Sequence, residues 1–388
     1  MRSVELFAGA GGLAIGMSNA GFHHAAVIER DHDACETFRE NQRHHLKSVE
    51  TWPLYEGDVK LFNYSPLKDI VVVSGGPPCQ PFSLGGKHKG YMDQRDMFPE
   101  AVRAVRELRP KAFIFENVKG LMRETFADYF EYIYLQMMYP SLARTKPESW
   151  REHRSRLERH HTSHPDRTEY NVVFRLLNAA NYGVPQRRER VFFVGFRSDL
   201  GIKWTFPEGE FSENILLTSQ WVTGKYWDRH SVPKRDRPVL TDKQKARVER
   251  IRVDGDSLFD IDKLPWLTVR DAISDLPNPE KDHREIANHT FNPGARSYPG
   301  HTGSPLDEPA KTLKAGDHGV PGGENMLARV DGSLRYFTVR EAARLQTFPD
   351  EYTFQGAWTE AMRQLGNAVP VRLAETVAKS VANTLKKR

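Results

Sequence analysis

The sequence predicts an α/β fold: a Rossmann-like, mostly parallel sheet into which a loop-rich, mostly β region is inserted. Three observations support this prediction. Short apolar runs alternate with helical patterns through the first 120 residues, and a glycine-rich turn follows the first run. Tryptophans, prolines and glycine-rich loops then mark residues 201–335, before helical patterns return. Such alternation is typical of βαβ units, whose helices cover the faces of a parallel sheet.

The individual strands and helices follow from the spacing of apolar residues. Short apolar runs predict buried strands at residues 3–7, 25–29, 69–74, 112–116 and 190–196. Helical spacing occurs at residues 12–21, 97–108, 339–348 and 370–387. The last of these opens with Pro370, which suits a first helical turn, and carries an apolar face. We expect that helix to pack back on the first domain.

These patterns divide the chain into three parts. Residues 1–200 form the first domain, residues 201–335 the inserted domain, and residues 336–388 a hinge and C-terminal helix that complete the first domain. Within the first domain, residues 141–168 are charged and rich in histidine. This stretch is either a solvated insertion or an auxiliary contact to nucleic acid.

The composition excludes several classes of protein. The 388 residues are 39% hydrophobic, enough for a sizeable core, and no apolar run is long enough to span a membrane. The amino terminus enters a strand directly, so we expect no secretory signal. The only two cysteines, Cys35 and Cys79, exclude a disulfide framework and a cysteine-rich zinc site. His44–His45 and His160–His161 lack metal-ligand spacing and are interpreted as surface residues, so no metal is predicted. The net charge of +5 mildly favours a polyanionic partner.

The stretch "ELFAGAGGLAIG" predicts a ligand-binding turn. Gly9, Gly11 and Ala14 form a G-x-G-x-x-A pattern between a strand and a helix, and Glu29 ends the next strand. In this arrangement the glycines let a ligand approach the backbone, and the acid binds ribose hydroxyls. The pattern admits NAD, FAD or S-adenosylmethionine, or a turn without a ligand. Asp58, near the end of a third strand, is either an acceptor for an adenine amino group or a helix cap.

Three further motifs contain candidate catalytic groups. Cys79 in "GGPPCQPFS" follows a strand and two rigid prolines, and is either a nucleophile or an inert buried thiol. Glu116 in "FENVKG" ends a strand at the same edge; burial should raise its pKa and keep it protonated, unless it only caps a turn. Arg187, Arg188 and Arg190 in "YGVPQRRERVFFVGF" precede or enter an apolar strand. Guanidinium groups there suit a carbonyl oxygen, a phosphate or a carboxylate, unless they are a surface charge run.

In order along the chain, "ELFAGAGG", "GGPPCQPFS", "ENV", "YGVPQRRERVFFVGF", "REAARLQTFPD" and "QLGNAVP" resemble the DNA (cytosine-5)-methyltransferases of bacterial restriction-modification systems. The resemblance covers residues 1–123, 170–197 and 335–388. It implies a sheet of the S-adenosylmethionine-dependent methyltransferase type, with the inserted region as a target-recognition domain. It also implies methyl transfer from S-adenosylmethionine to carbon 5 of a cytosine flipped out of a specific double-stranded DNA sequence, through a covalent cysteine–C6 intermediate.

The resemblance assigns a role to individual residues. Cys79 corresponds to the nucleophile, Glu116 to the group on cytosine N3 and Arg190 to a contact on cytosine O2, while Arg188 would brace the same site. The residues that correspond to the S-adenosylmethionine site are Phe7, Gly9, Gly11, Gly12, Glu29, Arg30, Asp58, Pro78 and Asn367. Residues 83–95 resemble a mobile lid over the base. Gly85 departs from a serine that is frequent in the family, so the residue that replaces the flipped base stays open.

The sequence also suggests partners and rival functions. Residues 311–325, "KTLKAGDHGVPGGEN", are predicted to read DNA in the major groove, the alternative being an ordinary glycine-rich hairpin connection. We expect a monomer in the bacterial cytoplasm, associated with the nucleoid through DNA and paired in function with a cognate restriction endonuclease. The rival functions are a tRNA cytosine-5 methyltransferase, a nicotinamide-dependent oxidoreductase and a catalytically inactive DNA-binding protein.

Overall fold

The computed structural model describes residues 1–78, 96–164, 166–254, 260, 262–281, 285–297, 302–315 and 325–387. The chain forms two compact units. The first contains residues 1–177, 189–207 and 374–388, and the second contains residues 178–188 and 208–373. The sequence instead divided the chain at residues 200 and 335. The two divisions differ most at residues 336–373, which the sequence analysis assigned to the first domain and which belong to the second unit.

The first unit is built on a seven-stranded sheet with the strand order β3-β2-β1-β4-β5-β7-β6. Its strands are β1 (Arg2–Leu6), β2 (His23–Glu29), β3 (Leu54–Glu56), β4 (Val72–Gly75), β5 (Ala112–Val118), β6 (Tyr170–Asn178) and β7 (Glu189–Arg197). The first five strands in the order pair in parallel, while β7 runs antiparallel to β5. The predicted mostly parallel α/β sheet is therefore confirmed.

Helices cover this sheet and bury it on both faces. They are α1 (Gly12–Asn19), α2 (His32–Arg43), α3 (Phe98–Leu108), α4 (Ala127–Met138), α5 (Trp150–Ser163) and α12 (Val371–Lys386), of which the last enters this unit at Ala374. Successive residues of the central strands, such as Phe113, Ile114 and Phe115 of β5, are fully buried. Continuous burial is expected of a strand covered on both sides, which explains why these runs are apolar without alternation.

The C-terminal helix packs against the first helix of the same unit. A methyl group added at Gly16 of α1 would lie 2.5 Å from Cβ of Ala374 and 2.6 Å from the backbone nitrogen of Glu375. Glycine at position 16 therefore permits a close approach of the two helices. Trp204 Nε1 also donates to Ser380 Oγ at 3.0 Å. The first of these contacts joins the last helix to the first helix, and the second joins it to the segment that follows β7.

The charged stretch at residues 141–168 contains α5, which is docked on α4. Ser149 caps the helix, because its hydroxyl and Glu152 form a reciprocal capping box. His153 is buried, contacting Tyr132 Oη through Nδ1 at 2.9 Å and the Leu142 carbonyl through Nε2 at 2.6 Å. The stretch therefore contains a capped helix with a buried histidine.

The second unit contains short elements. Its strands are β8 (Phe211–Ser212), β9 (Leu264–Pro265), β10 (Ser304–Pro305), β11 (Met326–Ala328) and β12 (Leu334–Tyr336). Its helices are α6 (Glu213–Leu217), α7 (Lys225–Arg229), α8 (Asp242–Asp254), α9 (Val269–Ile273), α10 (Val339–Leu345) and α11 (Trp358–Asn367). In the described part of this unit, helices thus outweigh strands of two or three residues. Strands β10, β11 and β12 form a small sheet of their own, separate from the central sheet.

An aromatic cluster forms one core of the second unit. Trp227, Tyr226, Trp266 and Phe211 are buried together there. Tyr226 Oη donates to Asp307 Oδ1 at 2.9 Å, so the polar end of that ring is satisfied within the core. Throughout the described ranges, none of the helices combines the length and the hydropathy that a bilayer crossing requires.

Candidate active site

The predicted site residues of the first unit collect at the carboxyl ends of five neighbouring strands. The turn at residues 7–12 follows β1, Glu29 ends β2, Asp58 follows β3, Pro78 follows β4 and Glu116 lies near the end of β5. Because β3-β2-β1-β4-β5 are consecutive and parallel, these positions share one edge. Ligands of open α/β sheets bind outside this edge.

The glycine turn has the backbone geometry that the sequence predicted. Gly9 and Gly11 adopt φ values of 52° and 83°, a region that side chains other than glycine rarely occupy. Gly11 caps α1, and its carbonyl accepts the first helical hydrogen bond from Ile15 at 2.8 Å. Among the described residues nothing lies within 4 Å of the position where a Gly9 side chain would begin. The turn therefore leaves an open approach to its backbone.

Glu29 ties this turn to the end of β2. Its Oε2 accepts the Gly9 N–H at 2.7 Å, and its Oε1 accepts the N–H groups of Arg30 and Asp31 at 2.8 and 2.7 Å. A carboxylate offers about four lone-pair directions. Three are occupied by backbone donors, which leaves one at Oε2 for a hydroxyl of a ligand.

The other predicted cofactor residues at this edge vary in exposure. Phe7 has φ 54° and is partly buried, Gly12 is buried as the first residue of α1, and Arg30 and Pro78 are exposed. Asp58 caps the 3₁₀ turn at residues 59–61, since its Oδ1 accepts the Lys60 N–H at 2.9 Å. The helix-cap alternative for Asp58 is thus realised, and its side chain remains partly exposed.

Glu116 and Arg190 form a nearly buried ion pair at the same edge. Arg190 Nε lies 2.8 Å from Glu116 Oε1, and the two side chains are only 11% and 8% exposed. Burial lowers the pKa of Arg190, while the Glu116 carboxylate opposes that change. In return a guanidinium at this distance favours the ionised carboxylate, so the pair works against the protonated state that burial alone predicted for Glu116.

Asn117 anchors the loop that leads to Cys79. Its Nδ2 donates to the Pro77 carbonyl at 2.9 Å, and it is 3% exposed. A side chain begun at Gly76 would lie 3.3 Å from Glu116 Oε2. The end of β4 therefore runs directly against the Glu116 carboxyl. The sequence motif "ENV" contained Asn117, but nothing in its pattern identified the carbonyl to which it binds.

A second group that the sequence did not single out lies between β1 and β4. Glu5 is 1% exposed and its Oε2 is hydrogen-bonded to Oγ of Ser74, its partner in the register of the two strands. Burial raises the pKa of Glu5 to about 8, although the Ser74 hydroxyl opposes the shift. Glu5 therefore holds a proton at neutral pH. It is the last residue but one of β1, the strand that leads into the glycine turn.

Arg188 lies in the second unit and binds backbone there. Its fully buried guanidinium donates from Nη1 to the Leu313 carbonyl at 3.0 Å and from Nη2 to the Gly366 carbonyl at 2.7 Å. Neighbouring Gln186 accepts the Leu313 N–H at 3.0 Å. These contacts hold residues 313–315 against the end of α11. The guanidinium of Arg188 thus binds the backbone of residues 313 and 366, which agrees with the expected bracing role.

Asn325 also binds the backbone of the stretch at residues 313–315. Its side-chain amide accepts the Lys314 N–H at 3.0 Å and donates to the Lys314 carbonyl at 2.9 Å. Asn367, the last residue of α11, follows Gly366 and is exposed. Residues 316–324 of the predicted reading loop, as well as Cys79 and the predicted lid at residues 83–95, lie outside the described residues.

Comparison with known proteins assigns this arrangement to a family. The family model of the C-5 cytosine-specific DNA methylases matches residues 1–138 and 156–383. The chain belongs to the C-5 cytosine-specific DNA methylases. The stretch that the family model omits, residues 139–155, contains the start of α5. The predicted family is thereby confirmed.

Named relatives support the same family. The type II methyltransferase M.Eco47II of Escherichia coli is 32% identical over 99% of this chain and 79% of its own length. The type II methyltransferase M.NgoMIV of Neisseria gonorrhoeae is 31% identical over 99% of this chain and 98% of its own length. This C-5 methylase is therefore an enzyme, a DNA cytosine-5 methyltransferase of the restriction-modification type. The oxidoreductase and inactive-protein alternatives are set aside, and DNA is favoured over tRNA.

Solved structures share the fold of this C-5 methylase. A prophage-encoded Escherichia coli protein assigned as a DNA modification methyltransferase matches all of the chain and 99% of its own, with a TM-score of 0.58 at 21% identity. The S. pombe Dnmt2 methyltransferase also matches all of the chain and 99% of its own, with a TM-score of 0.54 at 17% identity. At these identities the likeness concerns the fold.

Proposed function

We propose that this enzyme methylates carbon 5 of a flipped-out cytosine in a specific double-stranded DNA sequence, using S-adenosylmethionine and a covalent bond from Cys79 to carbon 6. The observation that carries the proposal is the Glu116–Arg190 pair. It lies at the strand edge where β4 runs through Gly76 and Pro77 towards Cys79. Together with the thiol that we propose for Cys79, this carboxyl and this guanidinium would match the three positions on cytosine that need a partner.

The cradle beside β1 suits S-adenosylmethionine. The open backbone at Gly9 and the remaining lone pair of Glu29 Oε2 would hold its ribose. The partly exposed carboxyl of Asp58 would accept a hydrogen bond from its adenine amino group. When bound, S-adenosylmethionine supplies an electrophilic methyl group. Phe7, Gly11, Gly12, Arg30, Pro78 and Asn367 complete the proposed set.

Arg190 has a donor to spare for the base. Its Nε faces Glu116, and its Nη1 donates to the Glu189 carbonyl at 2.8 Å. Among the described residues its Nη2 has no partner, so this nitrogen can donate to cytosine O2 while the ion pair stays intact. The guanidinium would then stabilise negative charge that develops in the ring.

Cys79 and Glu116 would activate the ring together. The Cys79 thiolate bonds to carbon 6, the electrons of the carbon 5–carbon 6 bond move to carbon 5, and Glu116, which has to take up a proton once the base is bound, donates a hydrogen bond to N3. Once carbon 5 has used this electron pair to bond to the methyl group, loss of its proton would re-form the carbon 5–carbon 6 double bond and expel the Cys79 thiolate. A free thiol is mostly protonated at neutral pH, so we propose that Cys79 loses its proton only once the base is bound.

The remaining parts of the proposal concern DNA and its context. A base must leave the stack before sulfur can reach carbon 6. We propose that the second unit, with residues 311–325, reads the target, and that residues 83–95 close over the base. The enzyme would act as a monomer on nucleoid DNA in the bacterial cytoplasm, where its mark protects the host from a cognate restriction endonuclease.

A mechanism-based trap tests the covalent step. Plasmid DNA from cells expressing the enzyme is first sequenced for 5-methylcytosine, which identifies the target. The purified enzyme is then incubated with S-adenosylmethionine and a duplex that carries 5-fluorocytosine at that position. Since fluorine at carbon 5 cannot leave as the proton does, an adduct that survives denaturation should form on Cys79.

The two cysteines provide a matched control. Cys79→Ser should give neither adduct nor 5-methylcytosine. Cys35→Ala should give both, because Cys35 is fully buried in α2 with its thiol towards the Glu29 carbonyl at 3.6 Å. Normal methylation by Cys79→Ser would contradict the assigned nucleophile.

A further inference from the structure

The positive charge of the chain is concentrated in one segment of the second unit. Residues 225–252 contain ten lysines and arginines against four aspartates and glutamates. This excess of six exceeds the net charge of +5 of the entire chain. The segment runs from α7 to α8, and its charged side chains are exposed or partly exposed.

One flank of α8 is neutralised by its own acidic residues. Lys245 Nζ lies 3.1 Å from Asp242 Oδ1, and Arg252 Nη1 lies 3.3 Å from Glu249 Oε2. Arg252 Nη2 also donates to the Trp221 carbonyl at 2.9 Å. The positive charges on this flank therefore have partners within the protein.

The opposite flank carries the same residue types without such partners. Lys243 and Arg250 are exposed, and neither makes a hydrogen bond or an ion pair with the residues that the structure describes. They are seven positions apart, as are Lys245 and Arg252, so each pair lies along one line of the helix. Val248 is 3% exposed and therefore marks the side of α8 that faces the core.

Two more exposed lysines extend this unpartnered charge. Lys225 at the start of α7 and Lys234 in the following turn have no side-chain partner among the described residues either. α8 packs beside residues 218–222, the turn that precedes Lys225. We define Lys243 and Arg250 of α8 as the basic surface; Lys225 and Lys234 belong to the same basic segment of the chain.

We propose that the basic surface binds the sugar-phosphate backbone of double-stranded DNA, independently of base sequence. This inference rests on the proposed function, which makes duplex DNA the substrate, and assigns to it a surface of this chain. Unpaired ammonium and guanidinium groups displace counterions from phosphates, and that gain is the same for every base pair. Six of the eight exposed side chains described on α8 are charged, and the other two are Ala246 and Val253. A protein-binding face would need more apolar or aromatic anchors than one valine.

Two double variants of α8 test the proposal. The first is Lys243→Gln/Arg250→Gln and the second, the control, is Lys245→Gln/Arg252→Gln. Both lose one lysine and one arginine, seven positions apart on the same helix, so their net charges are equal. Thermal melts establish that both variants are folded.

The measurement is the Kd for a labelled duplex of about 30 base pairs without a methylation target, between about 50 and 300 mM KCl. Removing two phosphate contacts should reduce the slope of log K against log salt by about 1.8 and weaken binding about 50-fold at 0.1 M salt. The control should change the slope by less than about 0.5, because its cations are already neutralised. The same loss is expected for a duplex that contains the target.

Three results would overturn the inference. Equal slopes for the two variants would mean that only net charge matters. A loss confined to the target duplex would mean that these residues read bases. Unchanged binding by both would leave the surface to another occupant, such as an acidic protein or a second copy of the chain. Formation of 5-methylcytosine by the unaltered enzyme, measured in parallel, separates a failure of the proposed function from a failure of this surface.

Discussion

Arg190 and Glu116 are joined by an ion pair of 2.8 Å across two antiparallel strands, β7 and β5. Arg190 lies opposite Val118 in the register, so its side chain reaches back over two positions to the carboxyl. Removing one member of a nearly buried pair leaves the other charge without its partner. The pair therefore couples the stability of the sheet edge to the proposed chemistry.

Arg190→Ala should lower both the stability and the activity of the enzyme. We expect a loss of about 3 kcal/mol in the free energy of unfolding and a fall in kcat of at least about 100-fold. Urea titration and transfer of a labelled methyl group to DNA measure the two quantities. Arg187→Ala is the control, since its guanidinium is 42% exposed and pairs with Glu213 at the surface. Activity within twofold of the unaltered enzyme in Arg190→Ala would contradict the assigned role.

Glu5→Gln should change how stability depends on pH. The native pKa of Glu5 is raised to about 8 from 4.5 by burial. The folded protein thus keeps a proton that the unfolded chain releases between these values, and the free energy of unfolding falls as pH rises from about 4.5 to about 8. Glutamine cannot ionise, so the variant should gain stability relative to the unaltered enzyme across that interval, by at most about 5 kcal/mol.

Denaturation at pH 5 and pH 8 measures this difference. Glu124→Gln, which replaces an exposed glutamate, is the control. It should leave the difference between the free energies of unfolding at pH 5 and pH 8 unchanged. Parallel stability curves for Glu5→Gln and the unaltered enzyme would show that Glu5 ionises normally in the folded state.

Glu29→Gln should weaken cofactor binding. Each oxygen of Glu29 accepts backbone N–H groups, so an amide NH₂ in place of one oxygen would face a donor. An unsatisfied buried donor costs about 1–3 kcal/mol, and we expect the Kd for S-adenosylmethionine to rise about tenfold or more. Isothermal titration measures it, with Glu36→Gln on the exposed side of α2 as the control. An unchanged Kd would remove Glu29 from the proposed cradle.

The sheet edge could be predicted because its signals are local. Glu29 and Glu116 each end an apolar run, and the glycine turn follows another, so the rule for parallel strands was enough to bring them together. The partners of Arg188 could not be predicted in this way. Leu313 and Gly366 lie 125 and 178 positions away along the chain, and a backbone carbonyl carries no residue type that a motif could reveal.

The second unit escaped prediction for a different physical reason. Its described strands have two or three residues, too few to establish an alternation of apolar and polar positions. Its helices α6, α7 and α9 have five residues each, barely more than one turn. Such elements depend on tertiary contacts, for example the aromatic cluster around Trp227, rather than on periodicity.

Gly366→Ala should disturb the support that Arg188 provides. A methyl group at position 366 would lie 2.3 Å from the Ala315 nitrogen and 2.4 Å from the Lys314 carbonyl carbon, and neither backbone atom can yield as a flexible side chain would. We expect a loss of about 1–3 kcal/mol in stability from overpacking. We also expect a higher KM for DNA, because residues 314–315 belong to the predicted reading loop. The KM for S-adenosylmethionine should rise as well, since Asn367 is the next residue. Steady-state kinetics with each substrate varied in turn measure both KM values.

Gly224→Ala is the control, because nothing described lies within 4 Å of its added methyl group and only its φ of 76° disfavours alanine. If Gly366→Ala matched this control in stability and in both KM values, the contact between α11 and residues 314–315 would have no part in positioning the site.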